Sequence, residues 1–317
     1  MAYLLLIVGF ALLIKGADLF VDGSANIARL LHVPTILIGL TIVSFGTSSP
    51  EATVSIIAAL EGSADVSLGN VVGSNIFNIT LVVGIAAFLY PLKVEGETVK
   101  KEVPFTLLAS VVLLILMADT VLQGGGSNLL ARGDGLIFLL FLAIFMYYVI
   151  EVGLRSRKDS DREPIPENIT WGKNIAYSVI GIAAIVVGGQ LVVDNGTQIA
   201  YSLGMSETLV GLTIVAIGTS LPELVTSISA ALKKESEIAL GNVVGSNIFN
   251  ILFVLGTSAV ISPLAVSGRV FADVIIMILL TALLFIFSRT SYKIGKTEGL
   301  VLAIGYIVYL VYIILRN

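Results

Sequence analysis

The chain repeats itself at a constant offset. Residues 39–60, GLTIVSFGTSSPEATVSIIAAL, match residues 211–232, GLTIVAIGTSLPELVTSISAAL, and the segment LGNVVGSNIFNI at 68–79 recurs unchanged at 240–251. Asp22 aligns with Asp194, Pro50 with Pro222 and Pro91 with Pro263, all without a gap. Chance does not produce such a match; the two halves are duplicates and must share one fold. The composition says what kind: of 317 residues, 56% are apolar and 13% charged, where a soluble domain averages about 25% charged. Apolar runs long enough to cross hydrocarbon, roughly 20 residues each, recur along the whole length, which reads as an all-α polytopic membrane protein.

Charge and Gly/Pro clusters divide the chain into ten expected transmembrane helices, near 2–30, 34–60, 66–90, 102–119, 134–154, 174–202, 206–232, 238–262, 270–288 and 298–315. Five spans per half is odd, so the second copy enters the membrane in the opposite direction and the copies are inverted five-helix repeats. The expected division is 1–155 for the first repeat, 156–173 for a short cytoplasmic linker containing SRKDSDREP, and 174–317 for the second repeat. Inverted repeats place binding sites near the midplane, where interrupted helices meet, which is the usual build of secondary transporters.

Arg132, Arg269 and Arg316 fall on the side of the termini, whereas Arg29, Lys93, Lys100, Lys101, Arg155, Arg157, Lys158, Arg162, Lys173, Lys233, Lys234, Arg289, Lys293 and Lys296 fall on the other. The positive-inside rule therefore places both termini outside the cell membrane. The first span has no basic n-region or cleavage site and reads as a retained helix. Trp171, the only tryptophan, falls at the cytoplasmic mouth of the sixth helix. The chain has no cysteine and one histidine, His32. Thiolate chemistry, disulfides and multi-histidine metal sites are excluded.

Each GTSxPE segment sits inside an apolar helix, making Glu51 and Glu223 intramembrane carboxylates, which are costly and usually functional. A purely structural polar pair is the alternative. Pro50 and Pro222 lack an amide hydrogen and crowd the carbonyl four residues back, so breaks are expected near Gly46 and Gly218. The freed carbonyls around Ser44–Thr47 and Ala216–Thr219 need partners, and a cation is a natural one. Thr47 and Glu51, like Thr219 and Glu223, are four apart and can face one cavity. Ser74 and Asn78, like Ser246 and Asn250, give the neighbouring helix an oxygen-bearing stripe. Gly69 with Gly73, and Gly241 with Gly245, are expected to permit tight helix packing. Asn75 and Asn247 either brace the broken helices or ligate. Lys15 and Asp18 are expected to pair along the first helix, and Asp22 and Asp194 to make capping or gating contacts. The convergent set is all oxygen, which suits hard cations such as Ca²⁺ and Na⁺.

These paired GTSSPE/GTSLPE and GNVVGSN motifs resemble the two α-repeats of the cation/Ca²⁺ exchanger superfamily, specifically its prokaryotic Na⁺/Ca²⁺ exchangers, and the resemblance spans both halves. It implies a ten-helix exchanger with clustered Na⁺ and Ca²⁺ subsites, needing no cofactor. By motif position, Glu51 and Glu223 are the shared carboxylates and the Thr47 and Thr219 carbonyls complete the Ca²⁺ site. Ser48, Ser220, Ser74, Ser246, Asn78, Asn250 and the carbonyls of Ser44 and Ala216 serve mainly Na⁺. In that family the first and sixth helices slide against the rest. Asn250 stands where K⁺-dependent relatives carry Asp, which argues against K⁺ cotransport, and the linker is too short for a regulatory Ca²⁺-binding domain. A monomer in the lipid bilayer, with no nucleic-acid partner, is expected.

The expected function is Na⁺/Ca²⁺ antiport by alternating access, normally extruding Ca²⁺. H⁺/Ca²⁺ antiport is the nearer alternative, because buried carboxylates can carry protons. The rich shell of neutral oxygens favours Na⁺. An intramembrane hydrolase is the remote alternative, but no Lys or His base accompanies Ser48 or Ser220. An ion channel is a further possibility in principle.

Overall fold

The computed structural model describes residues 1–94, 98–122, 124, 126–159, 169–204 and 216–316. The first helix, α1 (Ala2–Leu31), is one uninterrupted apolar run. It stops where His32 adopts a left-handed conformation, φ 56°, and Pro34 blocks continuation. The second span is broken into α2a (Thr35–Thr47) and α2b (Ser49–Leu60). Then come α3 (Ala64–Leu89), α4 (Val103–Leu116, entered through a π-helical turn at Thr98–Glu102) and α5 (Arg132–Asp159). In the second half are α6 (Trp171–Ser202), the described parts of the seventh span, α7a (Ala216–Thr219) and α7b (Leu221–Leu232), then α8 (Ser236–Ile261), α9 (Gly268–Ser291) and α10 (Lys296–Arg316). Seven of these helices are long and apolar enough by themselves to cross a bilayer. The other spans are the two broken helices and α4, so the architecture is an all-α, ten-helix membrane protein built from two repeats. Residues 160–168 of the expected linker and 206–215 of the expected seventh span lie outside the described residues.

Two antiparallel ribbons, too short to be legible as strands, tie the repeats together. β1 (Leu92–Lys93) in the α3–α4 connection pairs with β4 (Lys293–Ile294) in the α9–α10 connection. In the same way β2 (Leu129–Leu130), before α5, pairs with β3 (Leu264–Ala265), before α9. Pairing requires each couple of connections to lie on one membrane face. With ten spans, the 3–4 and 9–10 connections do share a face, and the 4–5 and 8–9 connections share the opposite one.

The α1–α6 pair makes the most extensive helix contact among the described residues. Its seam is a heptad-spaced glycine ladder, Gly9 and Gly16 against Gly188 and Gly181. A Cβ on Gly16 would lie 2.8 Å from the Gly181 carbonyl oxygen, and one on Gly188 would lie 2.8 Å from that of Gly9. In hydrocarbon, where burial gives no net drive for helix association, such close backbone approach is what holds two helices together. Behind this pair, α3 and α8 are the most buried long helices, placing the GNVVGSN motifs at the centre.

Gly241 and Gly245 on α8 show the expected tight packing: an added Cβ would lie 2.8 Å from the Ile36 carbonyl and 2.7 Å from the Leu40 carbonyl of α2a. For Gly69 and Gly73 the expectation is not met among the described residues, where an added Cβ meets nothing within 4 Å. The counterpart of α2a in the second repeat falls mainly in 205–215, outside the described residues.

Candidate cation site

The breaks lie two residues beyond the expected positions, at Ser48 (φ −83°, ψ 7°) and Ser220 (φ −92°, ψ 6°) instead of Gly46 and Gly218. The reason is the difference between losing a hydrogen bond and turning the chain. Pro50 deprives the Gly46 carbonyl of its donor, but the backbone redirects only where the next helix starts. There proline is tolerated within the first turn, because the amides of that turn have no intrahelical partner. Thr47 and Thr219 therefore end the first half-helices, while Glu51 and Glu223 lie in the first turns of the second.

The two breaks face each other, and each serine reaches the carboxylate of the other repeat. Ser48 Oγ donates to Glu223 Oε1 at 2.8 Å, and Ser220 Oγ donates to Glu51 Oε1 at 2.9 Å. Ser74 and Ser246 approach the same oxygens more loosely, at 3.5 and 3.4 Å, and Ser74 Oγ lies 2.9 Å from Ser220 Oγ. Glu51 and Glu223 are both 0% exposed. Among the described residues no ion pair reaches either of them. Isolated ionised carboxylates in a low-dielectric interior are strongly unfavourable unless a positive charge joins them.

On α3 and α8 the backbone relaxes into π-helical turns that start at Asn78 and at Asn250. Such turns recur at functional sites because they aim a side chain away from the regular helical register. Asn78 Nδ2 donates to Asn247 Oδ1 at 3.2 Å, and Asn250 Nδ2 donates to Asn75 Oδ1 at 3.1 Å. Asn75 and Asn247 also donate to each other's backbone carbonyls, at 3.3 and 3.4 Å, so in this structure they brace the crossing of α3 and α8. Each of Asn78 and Asn250 thus gives one amide donor to the brace, and their oxygens do not take part in it. Among the described residues four buried oxygens from this centre have no hydrogen-bond partner: Glu51 Oε2, Glu223 Oε2, Asn78 Oδ1 and Asn250 Oδ1. They are two pairs related by the repeat.

The threonine hydroxyls do not point freely at a cavity. Thr47 Oγ1 donates to Asn242 Oδ1 at 2.9 Å and Thr219 Oγ1 to Asn70 Oδ1 at 3.4 Å. The Ser44 carbonyl already accepts from Ser48 N at 2.9 Å and, weakly, from Thr47 Oγ1 at 3.3 Å. Ala216 opens α7a directly after the undescribed stretch.

Asn70 and Asn242 are the polar residues that sequence reasoning missed. Asn70 Nδ2 donates to the Glu51 carbonyl (3.3 Å) and to Ser55 Oγ (2.9 Å), and Asn242 repeats this with Glu223 and Ser227 at the same distances. Each asparagine thus fixes the backbone of its own repeat's glutamate while accepting from the other repeat's threonine. Their spacing of four from Ser74 and Ser246 was the available signal.

The expected Lys15–Asp18 pair is present but long, 4.0 Å, with the lysine largely exposed. Asp22 pairs with Lys233 at 2.7 Å, whereas Asp194 is exposed and borders a cavity of about 340 Å³ that reaches Thr219 and Pro222.

The chain matches known proteins over nearly its whole length. The sodium/calcium exchanger protein family model matches residues 1–151 and 173–315. The chain is 36% identical over 341 residues to the sodium/calcium exchanger MaX1 of Methanosarcina acetivorans, covering 98% of this chain and 97% of that one. It is 39% identical over 321 residues to the putative antiporter CaxA of Alkalimonas amylolytica, covering 97% of each. Among solved structures it resembles the sodium-calcium exchanger NCX_Mj soaked with Na⁺ and Ca²⁺, with a TM-score of 0.84 at 30% identity, covering 98% of this chain and 97% of that one. The chain belongs to the sodium/calcium exchanger protein family, and is an integral-membrane cation/Ca²⁺ antiporter and not an enzyme.

Proposed function

We propose that the protein exchanges Na⁺ for Ca²⁺ across the cell membrane by alternating access, normally extruding Ca²⁺ as Na⁺ enters down its gradient. The observation that carries this is the set of four unpartnered buried oxygens at the crossing of the repeats. Two carboxylates neutralise one divalent ion, and Ca²⁺ accepts about 6 to 8 oxygens with carboxylates common among them. Glu51 and Glu223 hold Ca²⁺ together with the Thr47 and Thr219 carbonyls, whose hydroxyls are anchored elsewhere. Na⁺ occupies flanking positions made from the same carboxylates with Ser48, Ser74 and Asn78 on one side and Ser220, Ser246 and Asn250 on the other. The Ser44 and Ala216 carbonyls complete those positions, the Ser44 oxygen giving up its weak contact with Thr47. Because both ions need the same two glutamates, they compete, and competition is the physical requirement for exchange. With neither ion bound, two uncompensated buried charges oppose reorientation, so the empty carrier does not leak.

The structural similarity to a sodium-calcium exchanger solved with both ions supports this reading. So do the neutral hydroxyl and amide oxygens, for which proton coupling has no use. The basic residues on the α1–α2 and α9–α10 side support a cytoplasmic position for that face, with both termini outside. The repeats correspond to 1–155 and 174–317, joined by 156–173, with the unit working as a monomer and without a regulatory Ca²⁺-binding domain. In proteoliposomes, an imposed Na⁺ gradient is expected to drive ⁴⁵Ca²⁺ uptake, and a pH gradient in Na⁺-free buffer to drive none. Uptake driven by the pH gradient alone would assign the protein to H⁺/Ca²⁺ exchange.

A further inference from the structure

We infer that the pocket enclosed by the β1–β4 ribbon and the α7b–α8 turn binds the head-group phosphate of an anionic phospholipid. This pocket has a volume of about 490 Å³ and lies away from the cation site, at the end of the bundle that the basic residues mark as cytoplasmic. Three lysines line it: Lys93, Lys234 and Lys293. Their arrangement is unfavourable without an anion. Lys93 and Lys293 are directly opposite in the antiparallel register, while their neighbours Leu92 and Ile294, 1% and 0% exposed, pin the other face of the ribbon in the core. Both ammonium groups therefore leave from the same exposed face, and like charges directly opposite repel.

Lys234 adds a third charge from a position that disfavours any side chain. Its φ is 66°, and the equivalent turn of the first repeat meets the same requirement with Gly62, φ 76°. A lysine held in the left-handed region, where its repeat uses glycine, is a local backbone cost that folding alone does not call for.

The acidic groups of the same pocket are engaged elsewhere. Glu235 pairs with Arg29 at 3.2 Å, and Glu237 accepts from Thr35 Oγ1 at 2.7 Å and from Ile36 N at 3.2 Å. Among the described residues none of these bonds involves the three lysines, which outnumber the two glutamates of the pocket. A lipid source fits the surroundings better than a soluble one. Phe88 and Leu89, at the end of α3 just before β1, are 49% and 45% exposed, and Tyr292 on the rim is 51% exposed. Exposed apolar and aromatic side chains of this kind suit acyl chains and the interfacial zone, which a soluble anion would not need. The pocket also includes the turn whose Lys233 and Glu235 bind α1, so an occupied pocket steadies the inner closure described below.

The test uses the full chain in nanodiscs of phosphatidylcholine with increasing phosphatidylglycerol, reading retained lipid by native mass spectrometry. The wild type is expected to retain phosphatidylglycerol selectively. The variant Lys93→Gln/Lys234→Gln/Lys293→Gln is expected to lose that selectivity by about tenfold or more. The control Lys100→Gln/Lys296→Gln, on the same face but outside the pocket, and the charge-conserving triple Arg variant are expected to keep it. Equal thermal midpoints of the Gln and Arg triple variants in neutral detergent establish folding. Wild-type retention by the triple Gln variant, or an equal loss in the control, would overturn the inference. So would inorganic phosphate protecting the protein in pure phosphatidylcholine as strongly as phosphatidylglycerol does, which would make the ligand a soluble phosphate.

Discussion

The centre of the molecule and its two ends treat the internal repeat differently. At the centre the copies are nearly superimposable in chemistry: Ser48–Glu223 mirrors Ser220–Glu51, and Asn70 mirrors Asn242, with hydrogen-bond lengths that agree within about 0.1 Å for most pairs. At the ends they diverge. At one end Lys233 closes onto α1, 2.7 Å from Asp22 and 3.9 Å from Asp18, and Ser229 donates to Asp18 at 2.9 Å. At the opposite end the counterparts of Lys233, Asp22 and Asp18 are Glu61, Asp194 and Gln190, which cannot form an ion pair with one another. There, Asp194 and Gln190 border the cavity that reaches Thr219 and Pro222. An ion must meet the same oxygens from either side, so the centre keeps its symmetry. Among the described residues only the Lys233 end is closed by charge, while the Asp194 end borders a cavity.

The largest expected effect breaks the symmetric centre. Glu51→Gln and Glu223→Gln each remove one buried carboxylate, a loss of about 3–5 kcal/mol or on the order of 100-fold or more in cation affinity. The two variants should abolish Na⁺-driven ⁴⁵Ca²⁺ flux to a similar extent, and a mild defect in one alone would break the equivalence. Next, Gly16→Leu or Gly188→Leu forces α1 and α6 apart against backbone, costing about 3 kcal/mol or more, read as a lowered thermal midpoint in detergent. A smaller effect tests the ends. Lys233→Ala removes the inner ion pair, and Glu61→Lys builds one opposite Asp194. Both should shift the balance away from the form in which Lys233 is closed onto α1, each by about 1 kcal/mol or roughly fivefold. Because the chain has no cysteine, Gln190→Cys is a unique reporter whose alkylation from outside should slow in both backgrounds. The smallest is Thr47→Val, which leaves the Asn242 oxygen short of its donor at about 1 kcal/mol in unfolding free energy.

Much of this was legible in the residues because the repeat doubles every signal. Glu51 and Glu223 stand out in apolar helices, and the prolines announce the breaks, though a lost carbonyl partner at Gly46 does not reveal that the backbone turns at Ser48. The inversion follows from counting spans. What was not legible depends on which side chain of one repeat meets which of the other. Thr47 was expected to face the cavity alongside Glu51, but its hydroxyl turns to Asn242, 195 positions away. The Lys233–Asp22 closure joins charges that look unrelated along the chain. The ribbons are two residues per strand, too short to carry an alternating pattern, yet they tie connections of one repeat to connections of the other.

The central claim is that Na⁺ and Ca²⁺ share the glutamate pair, and equilibrium ⁴⁵Ca²⁺ binding to the purified protein in nanodiscs, titrated with Na⁺, tests it most directly. The account predicts that Na⁺ displaces Ca²⁺ with a dependence steeper than one ion for one ion, and that Glu51→Gln and Glu223→Gln each abolish the Ca²⁺ binding being displaced. Calcium binding that is indifferent to Na⁺, or that survives the loss of either carboxylate, would contradict it.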